Sequence, residues 1–174
     1  MNPFAWPFRA QFLAGALACI ALLAYAIFEQ FQMGIEPCPK CIFQRVAFMA
    51  MGVVFLAGAA HGPAATGRRI YAVLVAFAAA IGGVIAIRHL YVQLSPHDPL
   101  MEGCGPGLNY LIDSFGFTGG IRKAFTASGD CGEINWTFLG LTMPGWTLIC
   151  FVLLGAGALW AGFRRRAGSG FGRR

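Results

Sequence analysis

Two cysteines three positions apart, in Pro37-Cys38-Pro39-Lys40-Cys41, stand directly before a long apolar stretch of this 174-residue chain. A helix starting there puts Cys38 near its N-cap and Pro39 near its first position, where the missing N–H costs nothing. Cys41 then falls in the first turn, facing unpaired backbone N–H groups and the positive end of the helix dipole, with the Lys40 ammonium nearby. Each effect favours thiolate over thiol, which suits these sulfurs to exchange. A purely structural bridge is the plainer alternative. A zinc site is weaker still, because four-cysteine zinc sites usually bring two close pairs, and the other candidates, Cys104 and Cys131, are far apart. No metal is expected.

Cys104 lies between Gly103 and Gly105, and Cys131 between Asp130 and Gly132 with Gly129 close by, so these sulfurs are open to another protein. Thiol exchange needs such freedom, because a thiolate must reach one particular sulfur. The alternative is that a Cys104–Cys131 bridge pins a long loop. Cys19 and Cys150 fall inside apolar stretches and read as small buried hydrophobes with no redox role.

The elements that position these residues are membrane spans. Hydrophobic residues make up 57% of the chain and charged ones 11%, too apolar for an ordinary soluble domain. Four stretches, residues 11–28, 42–60, 70–90 and 145–163, approach or reach the roughly 20 apolar residues that a span needs. The expected fold is therefore an all-α membrane protein: one domain, a four-transmembrane-helix bundle, with outer loops at about 29–41 and 91–144. The start of the chain also has signal-peptide features in Arg9 and Ala24-Tyr25-Ala26, but its apolar run fits a span better. The long second loop is broken by Pro96, Pro99, Gly103, Gly105, Pro106 and Gly107. Within it Leu108, Leu111, Ile112 and Phe115 recur at near-helical spacing, which predicts a short helix on the membrane surface.

The formal charge of +6 answers to topology, and no nucleic-acid partner is expected. Arg9, Arg68, Arg69, Arg164, Arg165, Arg166, Arg173 and Arg174 all fall on one side of the four spans, which places that side and both termini in the cytoplasm. The seven carboxylates, Glu29, Glu36, Asp98, Glu102, Asp113, Asp130 and Glu133, fall on the other. Cys38, Cys41, Cys104 and Cys131 share that outer side, which in a bacterium is oxidising, so the four read as two bridges.

Two further groups lie near the same surface. Arg45 is one turn after Cys41, and His89 follows Arg88 at the outer end of the third span. An ionisable residue in a span is a functional candidate. Arg45 could pair with the Cys41 thiolate or with an oxygen of a bound quinone, and His89 could hydrogen-bond the other carbonyl or carry its proton. Snorkelling to the interface is the alternative for both.

With these residues in view, the chain resembles the disulfide bond formation protein B family over nearly its whole length. The resemblance is carried by Pro37-Cys38-x-x-Cys41-Ile42-Phe43-Gln44-Arg45, by Ala127-Ser128-Gly129-Asp130-Cys131, and by Trp136-x-Phe138-Leu139-Gly140-Leu141-x-Met143-Pro144-x-Trp146. His89, ahead of Gln93-Leu94 and Pro96, falls where that family has its quinone-side histidine. The resemblance implies a bacterial inner-membrane, quinone-dependent thiol oxidase with a periplasmic DsbA-like partner and ubiquinone or menaquinone as acceptor. It implies that reduced DsbA attacks Cys104, that Cys131 opens the Cys38–Cys41 bridge at Cys38, and that Cys41 thiolate donates toward quinone held near Arg45. A DsbA-like donor has a potential near about −120 mV, which glutathione cannot oxidise, so a stronger acceptor such as a membrane quinone is needed. Pro39-Lys40 departs from the apolar dipeptide usual between these cysteines. A vitamin K epoxide reductase-like enzyme is the nearest alternative, but there the C-x-x-C follows the loop pair. A non-catalytic membrane scaffold with structural disulfides is the alternative of another class.

Overall fold

Backbone that leaves water must satisfy its own N–H and C=O groups, so a long apolar stretch closes its hydrogen bonds locally as a helix. The computed structural model describes residues 6–33, 38–94, 108–126 and 137–164. Four of its helices are long and apolar enough to cross a membrane: α1 (Phe8–Met33), α2 (Pro39–His61), α3 (Ala65–Leu94) and α5 (Met143–Phe163). The four expected stretches fall within these helices; α1, α2 and α3 run on into polar residues, whereas α5 adds only Met143 and Pro144. α2 is closed by Gly62 in the left-handed conformation (φ 57°), whose N–H donates to the Gly58 carbonyl at 3.1 Å. Glycine takes that geometry without a Cβ penalty.

The four long helices form a ring in which α1 neighbours α2, α2 neighbours α3, α3 packs along α5 over the largest shared face, and α5 returns to α1. Small residues set the close approaches. A Cβ on Gly82 would stand 2.4 Å from the Phe151 ring, and one on Gly162 would stand 2.4 Å from the Ala72 Cβ. Phe151 in turn stacks on Phe48, ring centroids 4.1 Å apart, which ties α5 to α2 through the middle of the bundle. Leu17, Val53, Phe77, Val84 and Leu153 point outward and are exposed. So much outward apolar surface suits lipid as the solvent.

The bundle has two chemically distinct ends. At one, Arg9 Nε donates to the Ala59 carbonyl at 2.9 Å, and the Arg69 guanidinium lies 5.8 Å from the centroid of the Phe163 ring. At the other lie the start of α2, the end of α3 and the start of α5. Near that second end are two smaller elements. A helix is present where Leu108, Leu111, Ile112 and Phe115 predict one: α4 (Leu108–Thr126) is longer than that apolar repeat and kinked at Gly116, φ 70° and ψ 170°. A two-residue hairpin joins β1 (Thr137–Phe138) to β2 (Leu141–Thr142). Its turn residues Leu139 (φ 52°) and Gly140 (φ 78°) are both left-handed, as a hairpin turn with the right twist requires. Cys104 and Cys131 lie outside the described residues, as do Arg165, Arg166, Arg173 and Arg174.

Candidate redox site

The site begins at the N-terminus of α2. Cys38 is its N-cap, in extended conformation, and Pro39 takes the first helical position. The Cys38 carbonyl accepts the Ile42 N–H at 3.2 Å, and the Cys38 Sγ accepts the Cys41 N–H at 3.4 Å. The helix start was expected to serve Cys41. Cys41 does lie in the first turn, but the sulfur that takes the leftover N–H is that of Cys38, because only an N-cap side chain can fold back onto the third residue. The two thiols are 3.1 Å apart, so a small side-chain rotation brings them to bonding distance.

α3 delivers His89 to the same place. Its Nε2 lies 3.9 Å from the Cys38 Sγ, and its side chain is only 2% exposed. On the far side of the ring, Nδ1 lies 3.3 Å from Gln44 Nε2. Thr147 of α5 donates its hydroxyl to Gln44 Oε1 at 2.8 Å and also lies 3.0 Å from the Pro144 carbonyl. A continuous chain therefore runs Thr147, Gln44, His89, Cys38 across α5, α2 and α3. Buried polar groups without partners are costly, and this network satisfies Gln44 and His89 on the axis that points at the sulfur. In this amide orientation the Gln44 N–H meets His89 Nδ1, which puts the proton of a neutral ring on Nε2, facing Cys38.

Arg45 turns the other way. Its guanidinium donates to Gln30 Oε1 at 2.6 Å and to the Ala26 carbonyl at 3.0 Å, both on α1. The expectation for Arg45 was a bond to Cys41 thiolate or to quinone. In the described structure it is held against α1, one turn below the cysteines, with two of its five N–H donors used in these bonds. Lys40, between the cysteines, is buried at 1% exposure.

Of the expected site residues, Cys38, Cys41 and His89 meet at one point, while Arg45, one turn after Cys41, bonds to Gln30 and Ala26 of α1. Cys104 and Cys131 fall outside the described residues. The expected role of His89 was at a quinone carbonyl; its ring faces Cys38. Gln44, Thr147 and Gln30 were given no role from sequence. For Gln44 and Thr147 the available signal was an uncharged polar side chain inside an apolar span, which in a membrane demands a partner; Gln30 falls in the stretch expected as an outer loop and offered none.

Comparison with known proteins identifies the family. The sequence profile described as disulfide bond formation protein DsbB matches residues 8–161. A protein of Xanthomonas axonopodis pv. citri named disulfide bond formation protein B is 55% identical over 170 residues, covering 97% of this chain and 98% of its own. The protein of the same name from Xylella fastidiosa strain 9a5c is 47% identical over 165 residues, covering 94% and 95% respectively.

Proposed function

The chain belongs to the disulfide bond formation protein DsbB family, and from that membership and the site geometry we propose that it carries electrons from a periplasmic DsbA-like dithiol through its own cysteines to membrane quinone. At the coarser level it is a multi-pass membrane protein with a thiol-oxidase role in disulfide formation. The observation that carries the finer reading is the meeting of Cys38, Cys41 and buried His89 at one end of an apolar bundle.

In this reading the end that holds Arg9 and Arg69 faces the cytoplasm and the cysteine end faces the periplasm. Reduced DsbA-like oxidase attacks Cys104, and its two thiols become a disulfide as the Cys104–Cys131 bridge is reduced. The Cys131 thiolate then attacks Cys38: the Cys131–Cys38 bond forms, the Cys38–Cys41 bond breaks, and Cys41 leaves as thiolate; Cys104 then attacks Cys131, which re-forms the Cys104–Cys131 bond and frees Cys38, so that the two electrons rest on the α2 pair. His89 assists at the attacked sulfur. Its Nε2–H faces Cys38 Sγ and stabilises negative charge there whenever Cys38 is free, while Gln44 and Thr147 hold the ring in place.

The residues present fit a quinone. Arg45, one turn after Cys41, uses two of its five N–H donors on α1, and the others would hold a quinone oxygen. Quinone, when bound, supplies a sink for two electrons and two protons.

Alkylation trapping after mixing with reduced DsbA-like protein tests the order of transfer. Cys38 and Cys41 are expected to become reduced only while Cys104 and Cys131 are intact. Their reduction at an unchanged rate in a Cys104→Ala variant overturns the relay.

A further inference from the structure

We propose that the reduced Cys38–Cys41 pair and His89 form a three-ligand site for a thiophilic divalent cation of the Zn2+ or Cd2+ class, which traps the protein in its dithiol state. The donor atoms of Cys38, Cys41 and His89 all lie within 4.8 Å of one another. Tetrahedral zinc with Zn–S near about 2.3 Å and Zn–N near about 2.0 Å separates two sulfurs by about 3.8 Å, and a sulfur and a nitrogen by about 3.5 Å. The observed 3.1 Å between the thiols and 3.9 Å between Cys38 Sγ and His89 Nε2 reach those values by side-chain rotation at Cys38 and Cys41, both only half-buried. The histidine, the hardest ligand to supply, is already buried and fixed.

The group behind the histidine also fits. Metal-bound histidines donate their second ring N–H to an oxygen that fixes the ring, and Gln44 stands at His89 Nδ1. Rotation of the Gln44 amide by half a turn puts Oε1 against Nδ1–H and frees the Nε2 lone pair for metal. Thr147 accommodates this at no loss: its oxygen then accepts from Gln44 Nε2 while its hydroxyl donates to the Pro144 carbonyl, already 3.0 Å away. The network is therefore satisfied in both amide orientations.

Binding balances as two thiols and one neutral imidazole taking up M2+ and releasing two protons, with no electron transferred and a fourth coordination position left for water. The disulfide form offers no thiolate, so the site exists only in the reduced state. Lys40 and Arg45 add positive charge on the same helix, so affinity comes from thiolate coordination and not from the field. Hard cations that prefer oxygen, such as Mg2+ and Ca2+, gain nothing here.

The test uses the full chain in detergent with Cys104→Ser and Cys131→Ser, so that the α2 pair supplies the outer thiols. Cd2+ titration, followed by thiolate-to-metal ultraviolet absorption and equilibrium dialysis, is expected to show one Cd2+ per reduced chain and none per oxidised chain. Excess Mg2+ should not compete. His89→Ala and His89→Gln are each expected to weaken binding by at least about tenfold. X-ray absorption of the Zn2+-loaded chain with His89 in place gives a readout free of folding effects, and one imidazole nitrogen beside two sulfurs is expected. A shell lacking imidazole, affinity unchanged in both histidine variants, or equal binding to the oxidised chain overturns the site.

Discussion

Gln44 Nε2 lies 3.3 Å from His89 Nδ1, so a side chain of α2 sets the ring that α3 presents to the Cys38 sulfur on α2's own first turn. The contact closes a loop of 45 residues in sequence, and Thr147 extends it to α5. Three helices are thereby keyed to one thiol.

Gln44→Leu removes the partner of a buried ring nitrogen. A loss of about 1–3 kcal/mol in stability is expected, along with slower opening of the Cys38–Cys41 bridge. Thr147→Val should act through the same chain, so a double-mutant cycle between positions 44 and 147 is expected to show a coupling of about 0.5–3 kcal/mol. Thermal unfolding in detergent and stopped-flow thiol exchange measure the two effects. Additive losses would mean that Thr147 does not act through Gln44.

Much of this architecture is legible in the sequence, and the reasons for the remainder are specific. The spans are visible because hydropathy over about 20 residues is a one-dimensional signal. The start of α3 is not, since Ala65–Arg69 is helical through continuation of the backbone ladder and not through apolarity. α4 announces its first two turns in Leu108, Leu111, Ile112 and Phe115, whereas Gly116 and Gly119-Gly120 hide its continuation to Thr126. The hairpin lacks the usual Asn-Gly signal, and Leu139 takes a left-handed φ that its type gives no reason to expect. The partners of Gln44 and Arg45 depend on which helices adjoin α2. His89, Thr147 and Gln30 reach them only through that packing, which no local spacing encodes.

Arg45→Ala is expected to raise the KM for quinone by about tenfold, with a smaller change in kcat, if the guanidinium mainly holds the acceptor. It also removes the bonds to Gln30 and Ala26, so Gln30→Leu serves as a control that breaks the side-chain bond to α1 and keeps the charge. Steady-state kinetics over a quinone series separates the two. Equal KM values for Arg45→Ala and Gln30→Leu would assign Arg45 to packing.

Gly82 and Gly157 make a matched pair for helix packing. A Cβ at Gly82 meets the Phe151 ring at 2.4 Å, while one at Gly157 meets nothing within 4 Å. Gly82→Val is expected to destabilise by about 1–3 kcal/mol through overpacking. Gly157→Ala is expected to be neutral or stabilising by up to about 1 kcal/mol, from helix propensity. Thermal unfolding of both variants in the same detergent checks the α3–α5 interface directly.

In the proposed relay, electrons pass from a soluble dithiol through the loop cysteines and the α2 pair to quinone. Anaerobic quinone absorbance, followed after reduced DsbA-like protein is added to the purified chain, measures it most directly. The relay predicts prompt quinone reduction in the wild type and its loss, by at least about a hundredfold, in both Cys104→Ala and Cys41→Ser. Normal turnover in the Cys41→Ser variant would contradict it.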